Sequence, residues 1–165
     1  MLSAITFALI GLYAYLGGFR PIEVTLAERD DYQLIGHYYA GEYDGDSLRT
    51  LFFEAKDLIS SGELEGNLII VHYSPVADQD SISIFVGVAV PDLPEVLPTH
   101  LEHRTLKGGK VIRAEITAHS FVRPLRNKVD ESMEAFAMER NMKLRSVVLE
   151  HYLSEDELHI ERLVE

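Results

Sequence analysis

The chain has 165 residues, 15 Lys plus Arg against 27 Asp plus Glu, and neither Cys nor Trp, for a formal charge of −12. That length suits one globular domain with its own core, and the lack of cysteine excludes a disulfide scaffold, a Cys-ligated zinc site and thiol catalysis. So much excess carboxylate repels polyanions, and the one basic cluster, Arg113, Arg123, Arg126 and Lys128, is small; nucleic acid is not an expected partner.

The N-terminus differs from the rest. Residues Leu2 to Phe19 carry no charge, and every Lys, Arg, Asp and Glu lies from Arg20 onward. Read as one helix, this run would be about 27 Å long, just enough for a bilayer core of about 30 Å. A cleavable signal would need a basic leader and a small-x-small site, and Ala14-Tyr15-Leu16 is a poor one. The expectation is therefore a single-pass anchor over residues 1–20 and a domain over 21–165. Tyr13 and Tyr15 would lie in the interface, and Arg20 biases the domain to the cytoplasmic side.

From Pro21 the pattern predicts strands at Ile22–Ala27 and Gln33–Tyr39, separated by an Arg29-Asp30-Asp31 turn. A helix follows, capped by Asp46 and ending before Gly62, with Leu48, Leu51, Phe52, Ala55, Leu58 and Ile59 on one stripe. Strands are predicted at Asn67–Tyr73 and Ser81–Val90, and three prolines make Pro91–Pro98 a connector. The second half repeats the order. Thr99–Leu106 and Lys110–Ala118 form a hairpin about Gly108-Gly109, and a helix runs over Pro124–Arg140 with Leu125, Val129, Met133 and Phe136 inward. Strands close the chain at Ser146–Leu153 and Glu157–Val164.

Superposing His72-Tyr73 on His151-Tyr152 aligns Val71 with Glu150. A carboxylate then shares a strand face with Val148 and Tyr152, because side chains alternate with period two. Burying even a neutral polar group unpaired costs about 2–7 kcal/mol, so Glu150 is either a paired, functional carboxylate or a solvated edge residue.

The duplicated order over 22–165, Gly41-Glu42-Tyr43 before the first helix and Leu149-Glu150-His151-Tyr152 before the last strand resemble the GyrI-like small-molecule-binding domain. That resemblance implies an α+β fold, an antiparallel sheet carrying two helices. It also implies a role like that of gyrase inhibitors and the effector-binding halves of multidrug-sensing regulators, with some relatives hydrolysing strained rings. In drug-binding members a glutamate at the base of an aromatic cleft meets cationic ligands, and Glu150 matches it by its place in the Glu-x-Tyr strand. The N-terminal run is similar to a membrane-anchored branch of the family, that of the animal endoplasmic-reticulum-phagy receptor. The chain departs from the family in lacking Trp for the cleft, and it carries no DNA-binding helix-turn-helix.

Other motifs carry little. His100 and His103, three apart on a strand, point to opposite faces and do not make a metal pair. No G-x-S-x-G elbow, P-loop or dinucleotide fingerprint occurs. Strands favour aromatics, so Tyr38, Tyr39 and Tyr43 read first as sheet packing. The resulting expectation is a binding module for small amphipathic cationic molecules, needing no cofactor. Glu150 is the charge partner, and Tyr152, Tyr73 and Tyr39 are apolar walls that add cation–π attraction. Two alternatives stand beside it: a hydrolase with Glu150 as general base, and a membrane-tethered adaptor with a protein partner.

Overall fold

The computed structural model describes residues 2–42, 44–73 and 82–165, with side chains from residue 5 onward. Tyr43 of the Gly-Glu-Tyr motif and Ser81 of the fourth strand lie outside the described residues. The elements run α1 (Leu2–Tyr15), β1 (Glu23–Arg29), β2 (Tyr32–Gly41), α2 (Gly45–Ser60), β3 (Asn67–His72) and β4 (Ile82–Val90). The second half is β5 (Glu102–Leu106), β6 (Gly109–Thr117), a 3-10 turn (Ser120–Val122), α3 (Arg126–Glu139), β7 (Leu144–Tyr152) and β8 (Glu157–Val164). Eight strands form one antiparallel sheet in the order β1-β6-β8-β7-β3-β4-β2-β5. Exchanging β1 with β5, β2 with β6, β3 with β7 and β4 with β8 reverses that order onto itself. The repeat read from the sequence is therefore a pseudo-twofold lying between β3 and β7.

One expected connection is corrected. β5 and β6 do not form a hairpin about Gly108-Gly109; β5 pairs with β2 of the first half, while β1 crosses to pair with β6. The two crossovers touch. A Cβ on Gly108 would lie 2.2 Å from the Asp30 carbonyl oxygen, while its backbone N–H donates to Asp31 at 3.0 Å and Lys107 pairs with Asp31 at 2.7 Å. A Gly-Gly dipeptide suits a hairpin and a close backbone approach equally, and here the close approach decides.

The N-terminal helix is also shorter than expected. It stops at Tyr15, because Gly17 turns left-handed at φ 87° and a Cβ there would meet the Thr117 carbonyl oxygen at 2.8 Å. Its 14 residues make about 21 Å, and no described helix is long and apolar enough to cross a membrane.

α2 begins one residue after its cap, Asp44, whose carboxylate accepts from the Asp46 N–H; the cap is two residues earlier than predicted. The helix packs Ala55 and Leu58 on Ile35, Leu68 and Val88, and α3 packs Val129 and Met133 on Ile112, Ala114, Val148 and Ile160. Leu125, expected inward, instead caps α3 and is 71% exposed. The opposite sheet face is equally dry, with Leu34, Ile69, Val71, Phe85, Val111, Leu149 and Leu163 buried together. Curvature explains this. β2 and β8 are four strands apart, about 19 Å in a flat sheet, yet Tyr32 of β2 donates its hydroxyl to Glu161 of β8 at 2.7 Å.

Candidate ligand-binding groove

β7 places Val148, Glu150 and Tyr152 on the helix-bearing face, as the period-two pattern predicts, and turns Leu149 and His151 to the other face. The basis of the repeat comparison needs correction. Val71 pairs with Leu149 on the helix-free face, whereas Ile70 lies directly across from Glu150; superposing the His-Tyr pairs is one residue out of register.

Glu150 is well buried and fully engaged. The first residue of α3, Arg126, donates Nη1 to Glu150 Oε1 and Nε to Asp130 at 3.2 Å. His72 Nε2 lies 3.3 Å from the same Glu150 oxygen, off line for a hydrogen bond, and Tyr152 donates its hydroxyl to Oε2 at 2.9 Å. Burial pushes the carboxyl pKa up, but His72, the Arg126 charge and the Tyr152 hydroxyl outweigh it and hold the group at about 2. Burial and the Glu150 charge together raise the Tyr152 phenol well above its ordinary value. A cation at the N-terminus of a helix opposes the macrodipole, so Arg126 is placed for Glu150 and Asp130 rather than for the helix.

A second carboxylate, not singled out in the sequence, sits on the far face. Glu161 is fully buried; its Oε1 accepts from Arg29 at 2.9 and 3.0 Å and from Arg113 at 2.8 Å, and its Oε2 accepts from Tyr32 and faces His151 Nε2 at 3.3 Å. Burial favours its neutral form, yet His151, Tyr32 and Arg29 hold its pKa far below the carboxylate range. This cluster clamps the curled sheet: it joins β1, β2, β6, β7 and β8 at one point. Sequence reading missed it because Leu158 and Ile160 mark the other face of β8 as the buried one, and Glu161 shares its own face with His159.

A groove of about 690 Å³ runs between α2 and the segments 119–123 and 152–155. Its apolar walls are Phe52, Ile59, Leu68, Phe121, Tyr152 and Leu153, and its charged groups are Lys56, Arg123 and Glu155. Phe52 meets Tyr152 edge-on at 5.5 Å, and the Arg123 guanidinium stands 5.8 Å from the Tyr152 ring. Glu150 does not line the groove; the Tyr152 ring and its hydroxyl stand between.

No family model matches the chain, and no curated protein does. Solved structures do. SAV2435 bound to tetraphenylphosphonium superposes with a TM-score of 0.60 at 12% identity, over 87% of this chain and 94% of that one. The C-terminal domain of EcmrR gives 0.60 at 8% identity, over 87% and 98%. A hydrolase from Listeria innocua gives 0.54 at 10% identity, over 93% and 98%. The chain has their fold.

Of the four predicted binding residues, the structure brings together Glu150 and Tyr152. Tyr73 lies beyond β3 on the helix-free face, 6.0 Å from the Tyr38 ring, and Tyr39 donates its hydroxyl to the Glu42 carbonyl at 2.6 Å; neither reaches the groove. The predicted basic cluster is split: Arg113 serves Glu161, Arg126 serves Glu150, and Arg123 donates to the Ala118 and Glu155 carbonyls. His100 lies in the turn before β5 rather than on the expected strand and faces Glu54 at 3.5 Å, while His103 of β5 bonds Gln33 at 2.7 Å. Among the described residues no three His, Asp or Glu side chains are placed to hold a metal.

Proposed function

We propose that the chain is a non-enzymatic binding module of the GyrI-like kind, taking a small amphipathic molecule into the groove beneath α2. The observation that carries this reading is the groove itself: an open apolar trough floored by Tyr152, whose orientation is fixed from behind by Glu150. Its size is that of ligand pockets in general. SAV2435, which shares the fold, is seen with tetraphenylphosphonium. In this chain a cation would reach Glu150 only by displacing Arg126, so the carboxylate acts by holding Tyr152, and the aromatic body of the ligand supplies the binding. A carboxylate held near 2, with both oxygens engaged, is a weak general base at neutral pH, which favours binding over hydrolysis.

Attachment to the membrane through α1, with the domain on the cytoplasmic side, belongs to the same reading. It is supported by apolar side chains exposed around α1, among them Phe7, Leu9, Ile10 and Leu12. Retention of the full chain in the membrane pellet after alkaline carbonate washing is expected; release into the wash would refute it.

The groove is tested by titrating the full chain in lipid nanodiscs with tetraphenylphosphonium and with triphenylphosphine oxide, against empty discs. Both are expected to bind with affinities within about tenfold, and Phe52→Ala is expected to weaken both. Binding of neither probe, or binding unaffected by Phe52→Ala, would refute the assignment.

A further inference from the structure

We infer that Phe121 and Leu125, with Lys128 beside them, make a second contact with an anionic membrane surface and hold the domain flat against the bilayer. The inference rests on the reading of α1 as membrane-embedded. The His119 backbone N–H donates to the Leu16 carbonyl at 2.9 Å, and Gly17 packs against Thr117 and Ala118. The segment 119–125 is thereby fixed level with the end of α1. Phe121 and Leu125 are thereby within reach of the interface that Tyr15 and Phe19 meet, and their own apolar side chains set how deep the segment sits.

Those two side chains are 88% and 71% exposed, on a short 3-10 turn and on a helix cap. Leucine supplies no capping hydrogen bond, and Ser, Thr, Asp or Asn is the usual choice there, so helix capping does not account for Leu125. Beside them, a cavity of about 280 Å³ is bordered by Tyr13, Arg20, Arg123, Leu125 and Lys128, and no carboxylate side chain lines it. Glu155 lies on the other side of Phe121, in the ligand groove. Arg20 and Arg123 spend hydrogen bonds on backbone carbonyls, whereas the Lys128 ammonium makes no ion pair among the described residues. Glu23 and Glu115 lie on the far side of Arg20, in a separate cavity. Apolar tips rimmed by unpaired cations are what an anionic lipid surface accepts: the rings enter the headgroup boundary and the ammonium meets lipid phosphate or carboxylate. Phe121 also borders the ligand groove, so this docking opens one end of the groove at the membrane.

Because the chain has no cysteine, one introduced cysteine carries one label. The full chain is labelled with an environment-sensitive fluorophore at Ser120→Cys, at Phe7→Cys within α1, or at Lys143→Cys beyond the far end of α3. Each is reconstituted in phosphatidylcholine vesicles with one-third phosphatidylserine and quenched with a spin-labelled lipid. The label at 120 is expected to be quenched about threefold more than that at 143. Phe121→Ser with Leu125→Ser should abolish the difference, and Lys128→Glu or removal of phosphatidylserine should reduce it. Quenching at 7 with none at 120 overturns the second contact and leaves the α1 reading standing; no quenching at 7 overturns both. Quenching at 120 that survives the Phe121/Leu125 double substitution also overturns the contact, because nearness to α1 would then account for it.

Discussion

Replacing Glu150 by Gln keeps the shape of the side chain and its bond from Tyr152 but removes the charge that Arg126 and His72 face. The carboxyl sits at about 2 in the fold against an ordinary 4.5, so about 2.5 pH units of preference for the ionised form, or about 3 kcal/mol, are stored in those contacts. The folded pKa is depressed, so this stabilisation is complete above the unfolded value and is lost as the pH falls from 4.5 toward 2. Glu150→Gln is therefore expected to cost about 3 kcal/mol at pH 7, with the gap to wild type shrinking to about 1 kcal/mol by pH 3. Urea unfolding followed by circular dichroism at pH 7, 5, 4 and 3 measures it. A gap below about 1 kcal/mol at pH 7, or one that does not narrow on acidification, would refute the reading of Glu150 as a paired, ionised buried carboxylate.

Glu161→Gln removes the buried charge that Arg29 and Arg113 share, leaving Arg113 only Glu115 at 3.5 Å, and should cost about 3–5 kcal/mol, with urea midpoints as the readout; a loss under 1 kcal/mol would deny the sheet clamp. Arg126→Gln should raise the Glu150 pKa above 2, visible in a carboxyl-carbon NMR titration, and an unchanged midpoint would contradict its place in the cluster. Gly36 and Gly87 face each other across β2 and β4, and a Cβ on Gly36 would lie 2.3 Å from the Val86 carbonyl oxygen. Gly36→Ala should therefore lower stability by about 3 kcal/mol or fail to fold, and a wild-type melting curve would contradict that register.

Much of the fold was legible because it rests on periodicity. The Leu48-to-Ile59 stripe, the alternation through β4 and the repeat of element order are all present in the fold. Strand pairing was less accessible. Whether Thr99–Leu106 folds back on its sequence neighbour or crosses to β2 is decided by backbone contacts such as Gly108 against Asp30, which leave no mark beyond a glycine pair. The end of α1 failed for a related reason: Leu16 to Phe19 is as apolar as the helix before it, and only the left-handed Gly17 breaks it. Leu125 fell on the helical stripe by count alone, and the helix begins one residue after it.

The site divides along a different line. Glu150 was visible because one carboxylate interrupts an apolar face, and a burial penalty of several kcal/mol demands a partner wherever such a residue lies inside. The partner itself was not visible, since Arg126 is 24 residues away on a helix and looks like any member of a basic cluster. That missing cation changes the chemistry. An unpaired buried carboxylate invites a cationic ligand, whereas a carboxylate already bearing an arginine, an imidazole and a phenol is a support for the groove wall. In the proposed binding reading Tyr152 is the contact residue, and Glu150 fixes it through the bond from its hydroxyl. On that reading the ligand's charge meets the charged groups that line the groove, Lys56, Arg123 and Glu155. Selectivity in this chain should therefore respond to substitutions at Lys56 more than at Glu150, the reverse of what an open Glu150 would give.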